Sequence, residues 1–241
     1  MHSAKIKANK SINTDVKKLR RSYLAMQFFA SGYGGRYIIL TKPRAEIGDL
    51  IASLGVQESF SRDHEGQGTS NRRFPVSNSM LELLWVRDAT EARNGPGKGL
   101  LFPERNETKG ASPFGLIFRR KDNLDDSEPF DGWKYQPDYF DPPMAFHVGE
   151  NSGRLNEPLC IYVPFLEPVE RKIEKGTFRS ISNVKISAPS ESTSGVLSKA
   201  ENSDGLEIVL GEEHLMEVTF NVGTCGFSKD LRPVLPLIIY W

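Results

Sequence analysis

A chain of 241 residues is long enough to bury a substantial core, either as one large domain or as two modules that share it. Hydrophobic residues make up 38% and charged residues 26%, and Lys+Arg equals Asp+Glu at 31 each, so no overall field draws the chain to nucleic acid or to an acidic surface. The two cysteines, Cys160 and Cys225, each stand alone, which argues against a disulfide framework or a Cys-rich metal site and fits a reducing, cytoplasmic setting.

No apolar run approaches the roughly 20 residues needed to cross a bilayer. Residues 1–30 read as a disordered basic leader: Lys5, Lys7, Lys10, Lys17, Lys18, Arg20 and Arg21 stand against Asp15 alone up to residue 25. The "YLAMQFFA" that follows is short for a targeting peptide and lacks a convincing cleavage site.

Ordered structure is expected from "RYIILTK", 36–42, a β-rich run. In "PRAEIGDLIASLG", Ile47, Leu50, Ile51 and Leu54 fall at i, i+3, i+4 and i+7, one face of an amphipathic helix. Pro43 suits its first turn and Gly55 the position just past its end. The strand "QESFSRDH", the turn "EGQG", the strand "TSNRRFPV", the turn "SNS" and the strand "MLELLWVRD" follow. Residues 36–90 thus form a first β-α-β-β-β module.

Residues 91–178 read as an insertion. "EARNGPGKGLLFPERNETKGAS" is loop-like, and "FGLIFRR", "MAFHVG" and "LCIYVPF" are extra strands. "PFDGWKYQPDYFDPP", dense in proline and aromatics, suits neither a helix nor a central strand. It is expected to lie over a pocket or to close a sheet edge. Residues 179–241 read as a second, degenerate module: the strand "SISNVKIS", a short helix with Ser190 as N-cap and Val196, Leu197 and Ala200 inward, then "LEIVLG", "HLMEVTFNV" and "RPVLPLIIYW".

One acid, Glu82, sits inside the apolar run "MLELLWV", and burying a carboxylate is costly unless it is paired, hydrogen-bonded or metal-bound. Arg36, Arg72 and Arg73 are its candidate partners. Arg72 and Arg73 lie on the strand expected to pair with that of Glu82, and one of the two must share its face. An arginine fork facing a cup would also take carboxylate or phosphate oxygens. "NGPGKG" lacks the Ser or Thr of a phosphate loop and reads as a turn. Cys160 reads as core, and no Gly-x-Ser-x-Gly elbow supports a serine hydrolase.

The β-α-β-β-β order, with Gly68, Thr69 and Asn71 on one strand and Leu81, Glu82 and Leu83 on the next, resembles the vicinal-oxygen-chelate superfamily, more narrowly its glyoxalase-like proteins. The resemblance implies an α+β fold of the glyoxalase/bleomycin-resistance/dioxygenase kind, in which paired βαβββ modules form a curved, cupped mixed β-sheet. It further implies a small molecule in the concave face and, in metal-dependent members, a divalent ion held by a His or Glu near the start of each first strand and a Glu on each last strand. Here Glu82 matches one last-strand position, but Arg36 and Tyr37 stand at the first-strand place, and Asn183 and Pro236 fall at the corresponding places of residues 179–241.

No cofactor is therefore expected. A divalent Zn, Ni, Fe or Mn is left the set Glu82, His147 and His64. The ligand-binding candidates are Glu82, Arg72, Arg73, Asn71, Tyr37, His147, Trp133 and Tyr135. Three functions stay open: a glyoxalase-like protein binding a small organic ligand without the usual metal, a metal-dependent lyase, isomerase or dioxygenase with an atypical ligand set, and a structural or partner-binding module. Many members of the superfamily are dimers, so the resemblance also leaves a homodimer open.

Overall fold

The computed structural model describes residues 36–41, 45–119, 127–166, 178–189, 194–201, 203, 205–221 and 226–241. The expected leader, Pro43, Ser190 and Cys225 lie outside them. The first module runs β1 (Arg36–Leu40), α1 (Ala45–Ser53), β2 (Arg62–His64), β3 (Thr69–Pro75) and β4 (Met80–Val86). α1 turns Ile47 and Ile51 into the core, and Gly55 just beyond it takes a φ of 97°, a left-handed conformation that favours glycine.

β4 is a near-continuous apolar run because both of its faces are covered. Leu81 and Leu83 join one core cluster, while Leu84 joins the other. β1 runs parallel to β4 with Ile38 opposite Glu82, and β3 runs antiparallel to it with Arg73 opposite Glu82. Gly68, before β3, has a φ of 69°, and a Cβ there would stand 2.3 Å from the Asp88 carbonyl oxygen. Only glycine permits that approach, which lets the Gly68 carbonyl accept the Arg87 and Asp88 amides.

A helical link follows: α2 (Ala89–Asn94), a 3-10 turn (Lys98–Leu100) and α3 (Phe102–Glu107). Asp88 caps α2 by accepting the Thr90 and Glu91 amides. Then come β5 (Phe114–Arg119), β6 (Gly132–Tyr135), β7 (Phe146–Gly149) and β8 (Leu159–Val163). All eight strands form one strongly curled mixed sheet in the order β2-β3-β4-β1-β5-β8-β7-β6.

The two halves of this sheet repeat one pairing scheme. β5 is parallel to β8 as β1 is to β4, β8 is antiparallel to β7, and β7 is antiparallel to β6. The halves join through the antiparallel pair β1–β5. The fold is thus α+β with a cupped sheet of paired units, but the partner of the first unit is residues 114–163, read from sequence as part of an insertion. Residues 179–241 do not complete that sheet. They contain β9 (Ile181–Ala188), α4 (Gly195–Ala200), β10 (Leu206–Leu210), β11 (Leu215–Phe220), β12 (Ser228–Asp230) and β13 (Leu237–Tyr240), which form a second sheet in the order β10-β9-β11-β13-β12. Here too an antiparallel pair, β9–β11, is flanked by parallel neighbours, so the sheet is two curtailed units side by side.

The outer face of the large sheet carries Ile39, Leu81, Leu83, Phe114, Leu116 and Tyr162. With α1 and the inner side of the second sheet (Val184, Met216, Val218, Ile239) it forms the larger core. Burial between the two sheets explains why these core-lining positions are apolar. Buried Glu157 locks α4 onto the β8 end: it accepts the Ser194 amide (2.9 Å), the Ser194 hydroxyl (2.6 Å) and the Asn151 amide (3.2 Å). Ser194, not the expected Ser190, is the N-cap of α4, accepting the Leu197 amide. No helix among the described residues is long and apolar enough to cross a membrane.

Candidate functional site: an arginine-lined cup

The inner face of the large sheet encloses a cavity of about 190 Å3. Strand alternation decides what reaches it. β4 sends in Glu82 and Leu84, β1 sends Arg36 and Ile38, β3 sends Arg73, and β2 sends Arg62 and His64. The second half supplies Ile117, Ile161 and Val163 from its strands, and Tyr135, Tyr139, Phe140 and Phe146 from β6, β7 and the loop between them. Leu100 and Phe102 of the helical link close the space. One wall is therefore polar and cationic, and the facing wall is aliphatic and aromatic.

Glu82, 4% exposed, is the centre of the polar wall. It accepts a short hydrogen bond from Asn71 Nδ2, and its oxygens lie 3.9 Å from Arg73 Nε and 4.0 Å from Arg36 Nη1. The carboxylate is thus tolerated through an amide donor and two flanking guanidinium groups. Asn71 is itself oriented: its Oδ1 accepts the Arg62 backbone amide (3.1 Å), so its Nδ2 must point to Glu82 and to His64 Nε2 (3.3 Å).

That donor leaves His64 Nε2 as acceptor and places its proton on Nδ1, 2.9 Å from Thr69 Oγ1. His64 is the neutral Nδ1–H tautomer. Burial, reinforced by the charges of Arg62 and Arg73 against a smaller opposing effect of Asp63, pushes its pKa down to about 3. Gln67 continues the network: its Nε2 donates to Thr69 Oγ1 (2.7 Å), and its Oε1 accepts from Tyr135 (3.1 Å) and Tyr139 (3.3 Å). Desolvation holds the Tyr139 phenol up at about 12, so it stays protonated and donating.

Two cations on this wall are poorly satisfied. Arg73 Nε and Arg62 Nε are buried without a hydrogen-bond partner among the described residues. The Arg62 guanidinium lies 4.3 Å above the Tyr139 ring and that of Arg73 lies 4.9 Å from the Phe60 ring.

The other sequence-derived candidates lie elsewhere. Arg72, one residue from Arg73, emerges on the outer face. It makes a two-point contact with Glu58 (2.7 and 2.6 Å) and reaches Asp49 (2.9 Å), and those carboxylates hold its pKa above the ordinary arginine value. Tyr37 packs against the outer core. His147 lies opposite Tyr162 on the outer face, donating from Nε2 to the Phe130 carbonyl (2.7 Å), with Nδ1 3.3 Å from Glu128. Trp133 shares the inner face of Tyr135 but packs on the helical link: its Nε1 donates to Ser152 Oγ, and a Cβ on Gly99 would stand 2.7 Å from its ring. That close approach accounts for a glycine in "NGPGKG". Glu82, Arg73, Asn71, Tyr135 and His64 are brought together. Arg62 and Gln67 were not singled out, although Arg62 and His64 sit two apart on one strand, the spacing of a shared face.

Arg72→Ala is accordingly expected to lower stability by about 1 kcal/mol, as a partly buried multi-carboxylate contact near the surface allows, and to leave ligand affinity at the cup within about twofold. Urea unfolding and ligand titration on the same variant check both halves.

A divalent ion finds a poor donor set here. Glu82 and His64 face the cup, His147 does not, and two guanidinium groups flank the carboxylate, with that of Arg62 on the same wall. Leu159, Ile161 and Val163, the inward residues of β8, offer no second acid. Among the described residues no three His, Cys, Asp or Glu side chains cluster as metal ligands would.

No family model matches the chain, and no curated protein sequence matches it. Among solved structures, a hypothetical protein from Staphylococcus aureus aligns with a TM-score of 0.51 at 13% identity, covering 86% of this chain and 98% of that one. The likeness is one of fold. A xylose isomerase-like TIM barrel/4-hydroxyphenylpyruvate dioxygenase fusion protein aligns with a TM-score of 0.39 at 10% identity, and the match spans 80% of this chain and 36% of the fusion.

Proposed function

We propose that this is a glyoxalase-like protein of the vicinal-oxygen-chelate type that binds a small organic molecule in its cup without the superfamily's usual metal. The observation that carries the reading is the cavity of about 190 Å3 between a hydrogen-bonded polar wall and an apolar one, the common form of a small-ligand site. The superfamily assignment is supported by the β-α-β-β-β order, the parallel β1–β4 pair that sets Ile38 opposite Glu82, and a second half with the same pairing scheme. Arg36 at the first-strand position and apolar residues at the inward positions of β8 favour the metal-free reading.

The test pairs elemental analysis with a small-molecule thermal-shift screen. After dialysis against zinc, nickel, manganese and iron(II), the protein is expected to retain no stoichiometric metal that depends on Glu82. At least one organic compound should raise the melting temperature in wild type and fail to do so in Ile161→Trp, whose added bulk fills the cup. About one metal per chain, lost in Glu82→Gln, would overturn the metal-free reading in favour of a lyase or dioxygenase. A screen with no stabilising compound would leave the fold serving as a partner-binding scaffold.

A further inference from the structure

We propose that the molecule held in this cup is an organic anion, a carboxylate or phosphate carrying an aromatic or branched apolar body, and that Arg62 and Arg73 grip its charged head. This rests on the cup being a ligand site.

The first ground is unmet hydrogen-bonding capacity. A buried N–H without a partner keeps the full cost of leaving water, so proteins seldom retain one that nothing satisfies. Here two guanidinium Nε–H groups on the same wall, Arg62 and Arg73, are in that state. Both belong to residues that line the cavity.

The second ground is charge. Glu82 is already matched by Arg36 and Arg73 at 4.0 and 3.9 Å and by the Asn71 amide. His64, neutral and donating to Thr69, adds no negative charge. Asp63, the acid next to Arg62 in sequence, lies on the other side of β2, with its carboxylate 3.9 Å from Arg87 and bonded to Ser70. Arg62 is paired with the ring face and phenol of Tyr139, a neutral partner. An incoming anion would supply Arg62 with a counter-charge, whereas a cation would meet three guanidinium groups. Guanidinium forks suit the planar, paired oxygens of a carboxylate or phosphate.

The third ground is the facing wall. Phe140 and Phe146 pack with ring centroids 5.0 Å apart, Phe165 lies 5.1 Å from Phe140, and Ile161 and Val163 complete the surface. An apolar cavity of about 150 Å3 is large enough for benzene, so about 190 Å3 accommodates one ring and a short acid-bearing arm.

Isothermal titration with probes that share one ring decides the matter: phenylacetate, phenylphosphate, phenylacetamide and 2-phenylethylamine. Phenylacetate or phenylphosphate should bind at least roughly tenfold more tightly than the isosteric amide, the effect of charge-assisted hydrogen bonds. Whichever acid binds better identifies the head group. R62Q and R73Q should each erase most of that preference. R62Q is the safer variant, since Arg62 lies outside ion-pair distance of Glu82. Equal affinity for acid and amide, preference for the amine, or full retention of the acid preference in both variants would overturn the anion assignment and leave the cup as a ligand site. No binding of any of the four probes would overturn both.

Discussion

Glu82→Ala is expected to lower the unfolding free energy by about 3 kcal/mol or more, the usual consequence of removing one member of a buried charged group. The carboxylate is 4% exposed, and three donors converge on it. Its removal leaves the Arg36 and Arg73 guanidinium groups facing each other across a cavity and takes the acceptor from Asn71 Nδ2. Glu82→Gln keeps the volume and an acceptor oxygen but not the charge, so its cost should fall between wild type and alanine. Urea denaturation of the three proteins measures the order directly. A Glu82→Ala variant within about 1 kcal/mol of wild type would mean that the polar wall contributes little to folding. Because Glu82 both faces the cup and pairs within it, the alanine variant should change ligand affinity as well as stability.

The second large effect is a pH dependence owed to His64. Its folded-state pKa of about 3 lies below the ordinary histidine value of 6.5. The unfolded chain therefore takes up a proton as the pH falls through about 6.5, while the folded protein resists until near 3. The stability due to neutral His64 is present above about pH 6.5 and is lost progressively below it, by about 3 kcal/mol at pH 4. Carboxylates titrate in the same range, so the observable is a difference. Urea midpoints for wild type should fall more steeply between pH 7 and pH 4 than those of His64→Gln, and the two curves should converge toward acid. Parallel curves would show that His64 charges as easily inside the protein as outside it.

The candidate site was partly legible before the fold was known. An acid in an apolar strand demands a partner, and that requirement alone pointed from Glu82 to Arg36, Arg72 and Arg73. Choosing between Arg72 and Arg73 needed the β3–β4 register, because a shift of one residue turns a side chain to the opposite face. His147 and Trp133 carry side chains suited to a site, yet their strands place one on the outer face and the other against the helical link. Arg62 shares the spacing of a common face with His64, but an edge strand ordered over three residues gives too short a pattern to fix which face turns inward.

Local pattern by itself determined the helical face of Ile47 and Ile51, the β-α-β-β-β order of residues 36–86, the inward Val196, Leu197 and Ala200, and the need to neutralise Glu82. Each of these depends on neighbours within a few residues, which is the range over which periodicity, capping and turn chemistry act. The partner of the first unit was a different kind of question. Residues 114–163 and 181–240 both offer strands of suitable length and hydrophobicity, and only β5 pairs with β1 while β9–β13 form a layer of their own. That choice sums burial over both faces of a sheet and across more than a hundred residues of chain separation, so no single segment carries it. The same long-range pairing brings Arg62, Arg73 and Glu82 opposite Phe140, Phe146 and Ile161, and with them the cup on which the proposed function rests.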